Sequence, residues 1–245
     1  VIGALTRSDL RVRYGRGRLS TVKWLLDPFA AVGVYLLLVA FVLDRQGFAV
    51  GLSIACAVVP FQLVMMTIIN ALRAVELRRS VITNMAFDKS LIPVASGFTE
   101  AVGFGACFVL LAILMAAYGV APTGWALMLP VIVLVTLFFA IACAFPAAVI
   151  GLWMPELSPF VMSAARATYF VAPGLISLSH IYGHTHDLLI LNPLTGLFEA
   201  FRDALLYGQA PQWWELVYPT AFGILLIAVV YPVWRRDAPH FAKVL

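Results

Sequence analysis

The chain has 245 residues, of which 63% are hydrophobic and 11% charged, and its mean hydropathy is +0.98. A soluble domain carries about a quarter charged residues, so this chain cannot clothe itself in water-facing side chains and reads as an integral membrane protein. The formal charge of +4 rests on too few charges to indicate nucleic acid, and Cys56, Cys107 and Cys143 all sit in apolar runs, as small hydrophobes rather than a disulfide or metal framework.

The first element is the stretch TRSDLRVRYGRGRLSTVKW, which reads as a helix along the cytoplasmic membrane surface. Ile2, Leu5 and Val12 fall near one face and Arg7, Arg11 and Arg18 on another, and Gly15 and Gly17 end the helix before the chain enters the bilayer. Arg7, Arg11, Arg13, Arg16 and Arg18 serve as a basic anchor for anionic headgroups, worth about 1 kcal/mol per residue near the surface. Their guanidinium forks also suit the phosphate oxygens of a phosphate-bearing lipid substrate, although any such membrane protein benefits from the anchor alone. No G-x-x-x-x-G-K-[ST] occurs anywhere in the chain, which argues against ATP binding by that route.

Apolar windows of about 20 residues fit a bilayer core as helices. Six are expected, at 24–43, 50–72, 94–118, 125–152, 159–182 and 213–234, the fourth carrying Pro130 and Pro146. Trp24, Trp125, Trp153, Trp213, Trp214 and Trp234 fall near their ends, as interfacial anchoring predicts. Basic residues gather before the first span, between the second and third, and after the sixth, leaving only Arg45 and Arg202 on the other side. The positive-inside rule then puts both termini in the cytoplasm.

The loop between the second and third spans, 73–93, is long for a connection. Its apolar Val81, Ile82, Met85 and Phe87 lie among charges, and an exposed Phe87 beside Asp88 and Lys89 suits a knob docking into a partner's cleft. In the fifth span Arg166, Tyr169, Pro173, Ile176 and His180 are read onto one helical face, and Tyr35 in the first span is another ring of the same amphipathic kind. An intramembrane arginine costs several kcal/mol unless it snorkels or faces a wet cavity. Rings with hydrogen-bonding tips suit sugars, although each aromatic alone is equally explained by packing. His180, His184, His186 and Asp187 cluster at the outer end of that span, without the HExxH spacing or a placed glutamate of a metalloenzyme. No G-x-S-x-G elbow or other catalytic arrangement is present, so no enzyme is expected.

Between the fifth and sixth spans lies NPLTGLFEAFRDALLYG, within an outer segment spanning 184–212. Asn192 suits a helix cap and Pro193 its first turn. Leu194, Leu197, Phe198, Phe201 and Leu205 recur on one face while Glu199, Arg202 and Asp203 gather on another, a surface-helix pattern expected to meet water or a pore mouth, with Arg202 able to offset both carboxylates.

Several segments together resemble the transmembrane subunit of ABC-2-type polysaccharide exporters, those moving O-antigen, teichoic acid or galactan, across nearly the whole chain. Ser8-Asp9-Leu10-Arg11-Val12-Arg13-Tyr14 resembles R-D-L-x-x-R-Y, with serine for the first arginine, and the Trp24–Pro28 pentad WLLDP resembles W-x-x-x-P. FDKSLIP from Phe87 resembles the coupling segment F-P-R-E-x-L-P, with Asp88 and Ser90 replacing proline and glutamate. Pro155-Glu156 stands where Arg-Asp is common, and Ala172-Pro173 fits the Ser-Pro of the fifth span. Asn192-Pro193-Leu194 with Arg202-Asp203-Ala204-Leu205-Leu206 and Gly208 resembles N-P-L…Y-R-x-x-L-L…G.

The resemblance implies an all-α membrane protein forming a single domain over 1–245. It would have six transmembrane helices, an N-terminal interface helix over 1–22 and outer re-entrant helices between spans five and six. It implies a homodimer in the plasma membrane with the conduit between subunits, joined by two copies of an ABC ATPase that would bind ATP and Mg; no cofactor is expected in this chain. The cargo implied is a polyprenyl-linked glycan, most like a galactan. Tyr35, Arg166, Tyr169, Ile176 and His180 would line its path. Asn84, Phe87, Asp88, Lys89 and Ser90 would couple to the ATPase, and Asn192, Pro193, Glu199, Phe201, Arg202 and Asp203 would shape an outer gate. The alternatives are an ABC-2 permease for small lipids or drugs, an ion-coupled transporter, which needs buried mid-membrane carboxylates, and a metalloenzyme built on the histidines.

Overall fold

The computed structural model describes residues 3, 5–9, 30, 33, 34, 37, 49–78, 87–175, 177, 178, 181 and 183–237. Among these the protein is all-helical: α1 Val50–Leu77, α2 Leu91–Ala117, α3 Leu129–Trp153, α4 Ser158–Val171, α5 His184–Ile190, α6 Pro193–Arg202 and α7 Trp213–Asp237. Two 3-10 turns, Gly124–Met128 and Pro155–Leu157, precede α3 and α4, and a π turn, Asp203–Tyr207, follows α6.

Four helical stretches among the described residues are long and apolar enough to cross a membrane: α1, α2, α3 with its preceding 3-10 turn, and α7. They answer to the second, third, fourth and sixth expected spans. In α3, Pro130 falls in the first turn, where its missing N–H costs no intrahelical bond, and Pro146 lies inside the helix. Of the first expected span only residues 30, 33, 34 and 37 are described; they are helical, and Val34 and Leu37 are exposed.

The fifth span departs from its expected extent of 159–182. α4 has 14 residues, about 21 Å at 1.5 Å per residue, short of a hydrocarbon core of about 30 Å. Proline disfavours helical backbone in the residue before it. Ala172, which precedes Pro173, accordingly turns to φ −82° and ψ 156° and ends the helix.

α1 is the central span, with 67% of its most apolar window buried against 11% for α7. It packs on α2, α3, α4 and α6, while α7 packs on α3 and α6. α1 and α3 meet closely at Gly151, where a Cβ would stand 1.8 Å from the Leu72 carbonyl oxygen.

Two apolar clusters result. One joins the N-terminal half of α1, the C-terminal half of α2, the N-terminal half of α3, and α6. The other joins the C-terminal ends of α1 and α3 to Ile92 and Trp234. Trp234 is therefore a core residue, edge-on to Phe145 at 5.9 Å, rather than the interfacial anchor expected. Trp125, Trp153 and Trp213 are exposed, as anchors would be.

Candidate functional site

Two polar clusters interrupt this apolar body, one at each end. The first is built by α6. Asn192 accepts a hydrogen bond from the Leu194 N–H at 3.0 Å, with Pro193 behind it in the first turn, the cap read from the sequence. α6 then runs buried along its whole length, with Phe201 edge-on to Phe104 at 6.4 Å. Gly196 lets it press on the start of α7, since a Cβ there would meet the Glu215 backbone at 2.7 Å.

The charged side of α6 does not face water, which corrects the expectation. Glu199, Arg202 and Asp203 are 6%, 0% and 4% exposed. Arg202 Nη1 donates to Glu199 at 2.6 Å and to the Pro173 carbonyl at 2.9 Å. Its Nη2 donates to the Gly174 carbonyl at 2.9 Å and its Nε to the Ser53 carbonyl at 3.2 Å. Glu199 accepts in addition from the Ser177 hydroxyl and the Leu178 N–H, each at 2.9 Å. One ion pair thus stitches α6 to the carbonyls released where α4 breaks and to the first turn of α1. A buried charge pair is tolerable when its remaining donors and acceptors are satisfied in this way.

Arg202 does not offset both carboxylates. Asp203 instead accepts from the Gln209 amide at 2.8 Å. Burial pushes its carboxyl above the usual carboxylate range, the Gln209 bond opposes that, and the Glu199 charge adds to it.

The second cluster lies at the opposite ends of α1 and α2. In the N-terminal helical segment at 5–9, Leu5 is buried and Asp9 pairs with Arg78, which follows α1. Thr99 of α2 donates to the same Asp9 carboxylate at 3.3 Å, and Arg78 also donates to the Ile92 carbonyl at 3.2 Å. Deeper along the same interface, Asn70 of α1 donates to Glu100 of α2, which is buried. Reading the apolar runs alone missed Asn70, Thr99 and Glu100; the signal was polar residues standing inside runs otherwise fit to span a bilayer.

Between α1 and α2, Ser90 donates from its hydroxyl and, at 2.9 Å, from its N–H to Asp88, closing the turn that opens α2. These two bonds, the hydroxyl's first, hold the exposed Asp88 carboxyl below its usual range. Phe87 is half-buried against the Trp234 cluster rather than standing out as a knob. Lys89 is half-buried beside it.

The expected path stripe on α4 is not one face. Arg166 is exposed, whereas Tyr169 is fully buried, its ring 4.9 Å from Phe61 and 6.0 Å from Phe198. Arg7 is exposed on the N-terminal helical segment. Tyr35, Ile176, His180, Arg11, Arg13, Arg16, Arg18 and Asn84 lie outside the described residues. His184 and Asp187 are exposed, and His186 stands 3.5 Å from Asp187. Among the described residues no three His, Cys, Asp or Glu side chains come together so as to hold a metal.

No protein-family model matches the chain. Along nearly its whole length it is similar to permease proteins of O-antigen export systems. It is 23% identical over 242 residues to the O-antigen export system permease protein RfbA of Myxococcus xanthus, covering 98% of this chain and 93% of that protein. It is 21% identical over 243 residues to a protein of the same name from Klebsiella pneumoniae, with the same coverage of both chains. A second such K. pneumoniae protein is 19% identical over 243 residues. Four long apolar helices in one bundle mark the chain as a multi-pass membrane protein, distantly similar from end to end to O-antigen export permeases.

Proposed function

We propose that the chain is the transmembrane subunit of an ATP-driven exporter that moves a polyprenyl-phosphate-linked polysaccharide, galactan or O-antigen-like, out of the cytoplasm. The observation that carries this reading is the end-to-end similarity to O-antigen export permeases, which spans the N-terminal segment, the α1–α2 connection and the α5–α6 hairpin together. In this reading both termini are cytoplasmic, two copies enclose the conduit, and a separate ATPase pair supplies the nucleotide chemistry.

The packing supports a route for the driving force. The connection carrying Phe87, Asp88, Lys89 and Ser90 leads directly into α2, and Phe87 rests on the cluster that joins α1, α3 and α7. A push on this connection moves those helices together, as a rigid-body transition of packed elements. The Asp9–Arg78 pair binds the N-terminal segment to the same body. The basic residues of that segment would recruit the lipid phosphate. At the other end, the α5–α6 hairpin would shape the exit, held closed or open as one piece by the Glu199–Arg202 pair.

Purification of the tagged chain from its native membrane tests the proposal. An ABC ATPase at equal stoichiometry is expected, with ATP hydrolysis stimulated by a polyprenyl-linked glycan. Absence of an ATPase refutes the reading, and stimulation by small lipids or drugs but not by the glycan would move it to the alternative substrate class.

A further inference from the structure

The corner where the π turn meets the start of α7 holds more buried acid than its cations can neutralise. Glu199, Asp203 and Glu215 are 6%, 4% and 1% exposed and border one pocket of about 360 Å³. Among the described residues Arg202 is the one buried cation at this corner, and it is committed to Glu199 and to three backbone carbonyls. The other elements packed here bring no compensating charge. α5 contributes His186, whose ring stands 3.5 Å from the exposed Asp187; the first half of α1 offers only the Cys56 thiol; Tyr207, Gln209 and Gln212 are neutral polar groups. Gly196 presses α6 so closely on α7 that a Cβ would meet the Glu215 carbonyl oxygen at 2.7 Å, so the acids cannot draw apart by small shifts of the two helices.

Two of the three acids have an evident means of support. Glu199 is paired with Arg202, and Glu215 accepts from the Gln212 N–H at 3.1 Å, a cap on the first turn of α7. Asp203 is the exception. Its Oδ1 accepts from the Gln209 amide at 2.8 Å, but its Oδ2 is sealed from solvent and has no hydrogen-bond partner. An ionised carboxylate accepts at both oxygens, and a charged oxygen buried without a donor costs far more than a neutral hydroxyl buried without an acceptor. The neutral acid therefore suits this site, with its carbonyl oxygen taking the Gln209 bond and its sealed oxygen carrying the proton. The raised carboxyl pKa, due first to burial, points the same way.

We propose that Asp203 holds a proton while α6 is docked on α7, and that losing this proton unlocks the π turn, so that the corner is a pH-sensitive latch. Once ionised, the carboxylate has to find water, and the neighbouring pocket is where it finds it. Turning into the pocket breaks the Gln209 side-chain bond and loosens the 2.9 Å bond from the Gln209 N–H to the Asp203 carbonyl, which closes the turn. Because the folded-state value lies above the ordinary 3.8, the latch is complete below 3.8 and is lost as pH rises through that folded-state value. The inference rests on the exporter reading for its meaning: on the outer side, external pH would set how firmly the exit hairpin is held.

The full chain in lipid nanodiscs is followed by its thermal midpoint from about pH 5 to about pH 9, a range chosen to cross the titration. The wild-type midpoint should fall by about 3–5 °C per pH unit where Asp203 titrates. Asp203→Asn copies the shape of the neutral acid and cannot ionise, so it should keep the wild-type midpoint at low pH and lose that fall. Asp187→Asn, which removes an exposed carboxylate, should leave the fall in place. The infrared C=O band of protonated carboxyls at neutral pH should be weaker in Asp203→Asn than in wild type. A wild-type pH slope in Asp203→Asn overturns the proposal, as does an unchanged infrared band. Failure of Asp203→Asn to accumulate at any pH overturns it too, because a neutral isostere should be tolerated. A slope removed by Glu215→Gln or His186→Gln but not by Asp203→Asn places the titrating group elsewhere and refutes the assignment. ATPase co-purification from the same membranes separates the two readings. Protein without the Asp203-dependent slope that retains its ATPase sinks the latch alone, and protein with the slope but no ATPase sinks the exporter reading alone.

Discussion

Arg202 is fully buried and places its guanidinium 2.6 Å from Glu199, one turn earlier on the same helix. The remaining guanidinium donors reach carbonyls of Ser53, Pro173 and Gly174, so one side chain joins three parts of the chain separated by up to 149 residues. Removing one partner of such a pair leaves a buried charge uncompensated, at a cost of about 3–5 kcal/mol. Arg202→Ala should lower the thermal midpoint sharply or prevent accumulation in the membrane. Arg202→Lys should fall between, because an ammonium lacks the planar fork that serves several acceptors at once. Fluorescence-detected size exclusion across a temperature series measures both; an unshifted midpoint for the alanine variant would show the network to be dispensable.

The Asp9–Arg78 pair makes a parallel prediction at the other end. Without Asp9 the N-terminal segment no longer covers Arg78, whose guanidinium at the end of α1 can then meet water while keeping its bond to the Ile92 carbonyl, so the spans should hold. The N-terminal segment, however, loses a charge-assisted bond worth about 1.5–3 kcal/mol. Asp9→Ala should therefore speed trypsin cleavage at the exposed Arg7 while leaving the bundle's thermal midpoint nearly unchanged. Equal cleavage rates in both proteins would mean that the segment is held by other contacts.

Gly151 leaves no room for a side chain. A methyl group there would meet the Leu72 carbonyl at 1.8 Å, and backbone cannot move aside as a flexible side chain can. Gly151→Ala should cost about 1–3 kcal/mol or more by forcing α1 and α3 apart. Yield and thermal midpoint in detergent report it, and wild-type values for both would contradict the packing described.

Reversing the charges of the proposed coupling segment, Asp88→Lys with Lys89→Glu, should leave the membrane bundle folded yet reduce substrate-stimulated ATPase activity of the proposed complex about tenfold, the equivalent of about 1.4 kcal/mol. Asp88→Asn retains an acceptor for Ser90 and serves as the control. Because the Ser90 bonds depress the Asp88 pKa, the turn's contribution is complete above the ordinary value of 3.8 and is lost only as pH falls below it. Coupling should therefore be flat from neutral pH down to about 5 as far as this group is concerned. Unchanged stimulation in the charge-reversed protein would remove the segment from the coupling route.

Tyr169 separates packing from substrate contact. It is fully buried among Phe61, Phe170 and Phe198, so truncation to alanine should destabilise the chain by about 3 kcal/mol or more through the cavity it leaves. Tyr169→Phe keeps the ring and should be tolerated. Export slowed in the alanine variant at an unchanged thermal midpoint would instead favour the sugar-stacking role.

Membrane residence, helical class and four of the spans were legible in the linear chain, because long uninterrupted apolar runs have one economical solution in a bilayer. The cap at Asn192 and Pro193 was legible too, since capping is a local event between residues two apart. Pro173 also stood in plain view, but a proline alone does not say whether a helix kinks or stops; the freed carbonyls needed a donor, and Arg202 lies 29 residues away. For the same reason periodicity assigned Glu199, Arg202 and Asp203 to a wet face. A helical wheel records which side chains point the same way, whereas the broken α4 and the start of α1, brought together by packing, decided that this side would be dry.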